Sequence, residues 1–525
     1  MNTSRRYNLR IAATIIILTF ALISVGMGPS FTNQPVSIFY VDDNACPAVG
    51  SGTELDPYCK IQTAVDNATS GNEIRVAEGV YTGVEKATDT QGYEYWQVVY
   101  VDKALTLKGG YDDDNWNAAP DPKEHKTIIN AERLGRSITV VGTQADAVIV
   151  DGFTITGGDY TGKGNPDGVS GQRCSRTGHD CGGGLFAKGV EMDLLNSYIY
   201  DNYSNTEDSG RSGDGGGVYY WAVKSGSTIQ HTTVISNTVS GAVGDGGGVK
   251  IAHGESVIIS NSKILDNYAG DEGGGLKIFQ PEDKITITET DFYNNEAGDI
   301  GGAMKMNSAM EGEALVMDRV RMSNNVSSDD GTSLYLDQQG NYSTSAILTN
   351  LVFDSSHSSI SNTNASVVYV QNTSSFDVTM NHITASNNLS DTFLVANTDD
   401  DEGDAMTFDI ANILLQSFTN GYVGKERGSA VLIINHTNTL FDDVTNQEVS
   451  AVGSPTFNPT GAITGNAGLI GSYLLTLASD AIDAGVDAGV LHDYDGDPRN
   501  DGHPDIGADE YYPRLYLPLL LNMGN

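Results

Sequence analysis

The chain has 525 residues, with 68 Asp and Glu against 29 Lys and Arg, a formal net charge of −39 at pH 7. That charge repels nucleic acid, anionic lipid and polyuronate unless a basic patch or a bound cation intervenes, and it argues against simple DNA or RNA binding. With Gly counted and Tyr left out, roughly 46% of the residues are apolar, which excludes disorder by low hydrophobicity; 61 Gly and only 18% charged residues suit turns and strands better than long exposed helices.

At the N-terminus Arg5, Arg6 and Arg10 precede an apolar run from Ile11 to Val25, the length of a signal-peptide core and short for a membrane span. Residues 1–28 are read as a signal peptide or an uncleaved N-terminal anchor. Ser4 to Arg10 resembles a twin-arginine signal with Asn8 where that pattern prefers Phe, and a general secretory signal is the alternative. The expected location is extracellular or at the cell surface, with no integral membrane domain in the mature chain. Four cysteines form two close pairs, Cys46 with Cys59 and Cys174 with Cys181. An exported chain can oxidise both; three connectivities are open, and local pairing is favoured. A thiolate metal site is the weaker reading, because C-x-x-C spacing and a His cluster are missing.

The middle of the chain repeats. Gly182-Gly183-Gly184-Leu185 recurs at Gly215, Gly246, Gly273 and Gly301, with a decayed copy at Gly331, in steps of 33, 31, 27, 28 and 30 residues. Each copy leads into a second run ending in apolar-x-x-Asn, at Asn202, Asn237, Asn267, Asn295 and Asn325. Two punctuated β-type runs per repeat, without helical periodicity, predict a solenoid. After each glycine run the first and third positions are mostly apolar (Val218/Tyr220, Val249/Ile251, Leu276/Ile278) and should face the core. The second positions then form an outward column, Phe186, Tyr219, Lys250, Lys277, Lys305 and Tyr335, beside a fourth-position column, Lys188, Trp221, Ala252, Phe279, Asn307 and Asp337. The recurring Asn reads as an inward turn residue whose amide bonds backbone and the next Asn.

The pairing of Gly273 to Leu276 with Phe292 to Asn295 resembles the repeats of polymorphic outer-membrane proteins and, more broadly, the right-handed parallel β-helix or pectin lyase-like superfamily. Tyr40-Val41-Asp42, Pro57 to Val65, Gly71 to Val76 and Gly79-Val80-Tyr81 are similar to the opening of bacterial secreted β-helices. That resemblance implies an amphipathic capping helix at about Ile61 to Ala68. Ala481 to Gly485, Asp495-Gly496-Asp497-Pro498-Arg499 and Asp505 to Tyr511 resemble the ending of choice-of-anchor Q surface proteins. The expected fold is all-β: a right-handed parallel β-helix over residues 37–475, a closing segment over 476–512, and a short hydrophobic tail over 513–525 that is either a sorting signal or a last strand.

Acids precede the glycine runs on successive rungs: Asp214, Asp245, Asp271 with Glu272, Asp299, and Asp329 with Asp330. In register they form a carboxylate ladder whose members raise one another's pKa or recruit Ca²⁺. The simpler account is a reused Asp-Gly turn. Asp245, Lys250, Glu272, Lys277 and Lys305 are the candidates for catalysis. Phe186, Tyr219, Trp221, Lys250, Lys277, Phe279, Lys305 and Tyr335 are the candidates for ligand binding, since aromatic faces stack on sugar rings. The competing account is a solvated Lys face with the aromatics packed under loops. Polygalacturonase-like and pectate lyase-like motif sets are not found in order, so no catalytic residue carries over. Asp493, Asp495, Asp497 and Asp505 have the alternate-acid spacing of a calcium loop, although Pro498 stands where an EF-hand has its turn glycine; the other reading has these acids capping turns. The run Asp399 to Asp404 reads as an exposed loop. The function expected is an exported or cell-surface, probable-monomer repeat protein that binds glycan or another surface without catalysis. A polysaccharide lyase or glycosidase on the same face, or a structural spacer, are the alternatives. No cofactor is required; Ca²⁺ is the one to test.

Overall fold

The computed structural model describes residues 37–142, 147–163, 179–205, 212–359, 365–398, 404–500 and 502–512. The readings for the N-terminal segment, Cys174, residues 399–403 and the tail lie outside the described residues.

Each turn of the chain contributes three main strands, and each pairs in parallel with its equivalent one turn later; in the middle coils a short fourth strand, such as Thr238–Val239, stacks in a parallel ladder of its own. In one coil these are Val218–Trp221, Ser227–Gln230 and Thr233–Ile235. They align with Val249–Ala252, Val257–Ser260 and Lys263–Leu265. Repeated over about eleven turns, this makes a parallel β-helix with three faces, termed here sheets 1, 2 and 3. The sequence suggests two runs per repeat; sheets 2 and 3 merge in that reading because only two residues separate them. The first of the pair turns the chain in the left-handed region without glycine: Asn196, His231, Asn261, Glu289, Arg319, Asn350, His382, Asn412 and Asn438 all have φ between 46° and 58°. These residues form one corner of the solenoid.

The inward assignments hold. Leu185, Val218, Val249, Leu276, Met304 and Leu334, with Ala187, Tyr220, Ile251, Ile278, Met306 and Leu336, belong to one continuous core. The Asn ladder is also as expected. Asn202, Asn237, Asn267, Asn295 and Asn325 are buried, and each Nδ2 donates to the next Oδ1 at 3.0–3.1 Å from Asn202 through Asn325. The same oxygen accepts the preceding Asn's backbone N–H, so the tight corner leaves few orphaned polar groups. The first glycine of each run sits at φ 60–70°. The third lies so close to the next rung that a Cβ at Gly217 would stand 2.7 Å from the Gly248 carbonyl oxygen.

Helix α1 (Ile61–Asn67) puts Ile61, Ala64 and Val65 into the core. Its Gln62 accepts the Tyr100 N–H at 2.7 Å. Cys46 and Cys59 form a disulfide just before it; Cys181 is disulfide-bonded as well. The segment 476–512 does not stack as a further coil. It runs along the flank of the solenoid, against the left-handed corner of the later turns. Among the described residues no helix is long and apolar enough to cross a membrane.

Candidate functional site

The outward face of sheet 1 carries the predicted column in the predicted register: Phe186, Tyr219, Lys250, Lys277, Lys305, Tyr335 and Tyr369 lie on successive rungs. Its exposure is where the structure differs. All seven residues are buried, with Lys250 at 0% and Lys277 and Lys305 at 1%; corner acids cover Lys250 and Lys277, and the aromatics pack in apolar clusters at either end. Lys250 Nζ donates to Asp214 and, at 2.7 Å, to Asp245 Oδ2. Lys277 pairs with Glu272 and the Asn307 amide oxygen. Lys305 lies 3.7 Å from the centre of the Tyr335 ring, with Asp337 at 3.4 Å. The lysines are thus internal counter-ions of the carboxylate ladder, not an exposed basic face, and the same burial removes Phe186, Tyr219 and Tyr335 from the solvent-facing set.

The local electrostatics follow from this packing. Burial alone would pull the Lys250 ammonium down, but Asp214 and Asp245 outweigh it and hold it above the usual lysine range. Lys305 has weaker support: burial pulls it to about 8, with Asp337 opposing and Lys277 adding. Asp271 is pushed up to about 7 by burial and then by Asp245, Glu272 and Asp299. Asp299 is raised by burial and Asp329, and Asp330 chiefly by burial.

Phe186 and Tyr219 instead form a satellite cluster with Tyr93, Tyr95 and Cys181. It encloses Arg136, a residue the sequence reading missed. Its guanidinium lies 3.4 Å from the Tyr160 ring centre and 4.7 Å from that of Phe186, and it donates to the carbonyls of Cys181 and Gly182. Cation–π and carbonyl contacts support its charge, and Asp180 adds an electrostatic attraction.

Solvent reaches part of the fourth-position column: Lys188, Trp221, Phe279, Gln371, Asn397 and Lys425 are half-buried, whereas Ala252, Asn307 and Asp337 are buried, and His253 follows Ala252 in the chain. Trp221, His253 and Phe279 are half-buried, and their rings run edge to face with centroids 5.1 and 5.6 Å apart. Trp221, Ala252, Phe279, Asn307, Asp337, Gln371, Asn397 and Lys425 lie in register from rung to rung. Asp337 accepts from Lys305, from Asn307 at 2.7 Å, from Gln339 at 2.6 Å and from Gln371 at 3.0 Å. A carboxylate so saturated with donors is poorly placed to take a proton from a substrate. Gln371, Asn397 and Lys425 escaped the sequence reading because the glycine punctuation fades after Gly331. The alternation in Val368-Tyr369-Val370-Gln371 is the signal that could have found them.

The calcium candidates do not assemble as a chelate. On the ladder, Asp214, Asp245 and Glu272 are spent on lysines, and Asp271 and Asp299 join no three-ligand group. In the closing segment Asp493 accepts the N–H groups of Asp497 and Glu510 at 2.7 and 2.9 Å. Asp505 accepts those of Asp483 and Tyr511 at 2.7 and 2.6 Å, and Asp495 accepts the Tyr473 hydroxyl at 2.9 Å. These acids hold turns, and Asp497 sits among them without completing a ligand set. Among the described residues the three-ligand groups are elsewhere, Glu78 with Asp112 and His125, and Asp112 with Asp113 and Asp114. Among the described residues the ladder acids gather no three-ligand group.

No family model matches the chain, and no curated protein matches it. Among solved structures it is similar to the pectate lyase Pel9A, at 12% identity over 91% of this chain and 98% of that one, TM-score 0.38. It is similar also to the catalytic domain of a GH87 α-1,3-glucanase, at 10% identity over 76% and 66%, TM-score 0.43. A third likeness is to a Yersinia enterocolitica family 28 exopolygalacturonase, at 11% identity over 81% and 78%, TM-score 0.24. The likeness is one of backbone course; the chemistry of the site rests on the chain's own residues.

Proposed function

We propose that this is an exported β-helix protein that binds a neutral, hydroxyl-rich glycan along the outer strip of sheet 1 without cleaving it. The observation that carries the reading is the half-buried part of the fourth-position column. Trp221 and Phe279, with His253 between them, offer ring faces and edges to pyranose rings, and Gln371 and Asn397 continue the same line with amides further along. Rungs about 4.8 Å apart step along the solenoid at roughly the length of one pyranose residue. The lysines beneath are neutralised by the corner acids, and the chain carries −39, which favours a neutral polymer over a polyuronate. The disulfide supports export, since such bonds persist in oxidising compartments.

Affinity electrophoresis against a panel of neutral and acidic polysaccharides tests the reading. Retardation by a neutral polymer is expected, lost in Phe279→Ala and Gln371→Ala, with no new reducing or unsaturated ends. A second reading, a glycosidase, has one observation in its favour: Asp271 keeps its proton near neutrality, as a general acid must. Product that accumulates with the parent and vanishes in Asp271→Asn would establish that reading instead.

A further inference from the structure

The left-handed corner between sheets 2 and 3 is a second surface, away from the sheet 1 strip. In the later coils it is occupied by the chain itself. Asn438 Nδ2 donates to Ala484 O at 2.6 Å, and Asn412 donates to Val486 O at 2.7 Å while accepting Val486 N–H at 2.8 Å. Further up, Asn350 donates to His492 O at 3.0 Å. Corner amides thus read the main chain of an extended segment made largely of small residues, Ala484-Gly485-Val486-Asp487-Ala488-Gly489. Under it Asn350, His382 and Asn412 are buried.

The segment goes no further than the Glu289 and Arg319 rungs. Those two corner residues pair with each other at 2.6 Å, and the Asp495-Gly496 turn lies beside Arg319. The same corner then continues toward the N-terminus through Asn261, His231 and Asn196, all exposed. There it lines a groove of about 740 Å³, walled by Pro120, Pro122 and Lys123. The side chains of His231 and Asn261 make no hydrogen bond among the described residues. The groove's acids are already engaged: Asp121 accepts the Lys123 N–H at 3.0 Å and Asp151 accepts the Asn196 amide at 2.8 Å. Lys123 and Lys263 at its edges are exposed and form no ion pair among the described residues.

We propose that this groove binds an extended acidic polypeptide segment by its main chain, in the way the later corner binds residues 484–492. The two rung steps of about 4.8 Å from Asn196 to Asn261 span roughly 10 Å, which is about three residues of extended chain. The His231 imidazole and the Asn261 amide would meet peptide N–H and C=O groups, small side chains would allow close approach, and the two lysines would select carboxylates.

The probe is a fluorescein-labelled peptide with the sequence of residues 483–493, titrated into the full chain at low salt and followed by anisotropy. Saturable binding is expected, weakened at least fivefold by His231→Ala with Asn261→Ala and by Lys263→Glu. Phe279→Ala on sheet 1 should leave it unchanged, so its loss is separable from failure of the glycan reading. Because the corner side chains are exposed, circular dichroism of these variants should match the parent. Absence of saturable binding, binding indifferent to the corner variants, weakening by Asn412→Ala (which would mean displacement of the chain's own segment), or displacement of the peptide by a neutral oligosaccharide each overturns the proposal.

Discussion

Lys250→Met is the sharpest test of the claim that the sheet 1 lysines are internal counter-ions. The Lys250 side chain is 0% exposed, against 4% for Asp214 and 15% for Asp245, and the two acids sit on adjacent rungs, bridged in parallel. Met keeps most of the stem's packing and removes the charge. The two carboxylates then face each other at about 5 Å. With an effective dielectric near 20, their repulsion is roughly 3 kcal/mol, in line with the ~3–5 kcal/mol observed when one partner of a buried pair is removed. The acids can relieve part of this by binding a proton, so the loss should be larger at pH 8 than at pH 5. Urea unfolding followed by tryptophan fluorescence at both pH values reads the difference, and adding Asp245→Asn to the variant should recover most of it. A Lys250→Met protein within about 1 kcal/mol of the parent at pH 8, as an exposed ion pair would give, refutes the reasoning.

Asp271 is held up at about 7 in the fold, against 3.8 in the unfolded chain. The folded state thus binds the extra proton, and stability falls as pH rises through that window. Asp271→Asn should raise the melting temperature at pH 8 and change it little at pH 4. His382 is shifted the other way: burial and then Arg499 bring it to about 3, so its contribution is present above the unfolded value of 6.5 and is lost as pH falls toward 3. It touches Asn412 at 3.0 Å, and the amide protection factors in residues 484–492, taken against intrinsic exchange rates at each pH, should therefore be lower at pH 4.5 than at pH 7.5, with a smaller difference in His382→Gln. Asn295→Ala strands the Asn267 N–H and the Ile264 carbonyl, while the Asn267 amide keeps Val234 O. At about 1–3 kcal/mol for each unsatisfied group, a loss of roughly 2–6 kcal/mol is expected in urea unfolding, with faster exchange at Asn267.

Residue patterns that repeat with each coil were legible in the sequence. The glycine run, the alternation behind it and the Asn were enough to place the core, the strand register and the ladder, because each obeys a local rule of backbone geometry. What lay on top of sheet 1 was not legible. Alternation says that Lys250 points away from the core; only the path of the corner carrying Asp214 and Asp245 decides that it never reaches water. The left-handed corner was missed for a related reason: Asn196, His231, Glu289 and Arg319 share a φ value but no side-chain chemistry. The closing segment showed its acids at calcium-loop spacing, yet Asp493 and Asp505 meet backbone N–H groups contributed by residues 497, 510, 483 and 511, pairings that sequence spacing does not reveal.

The most direct test of the central claim is a hydrogen-exchange footprint of the full chain with and without a retained neutral polysaccharide. The account predicts added protection in the sheet 1 strands around Trp221, Phe279, Gln371 and Asn397, with sheets 2 and 3 unchanged and the polymer recovered intact. Protection confined to other faces, or shortening of the polymer during the experiment, would contradict it.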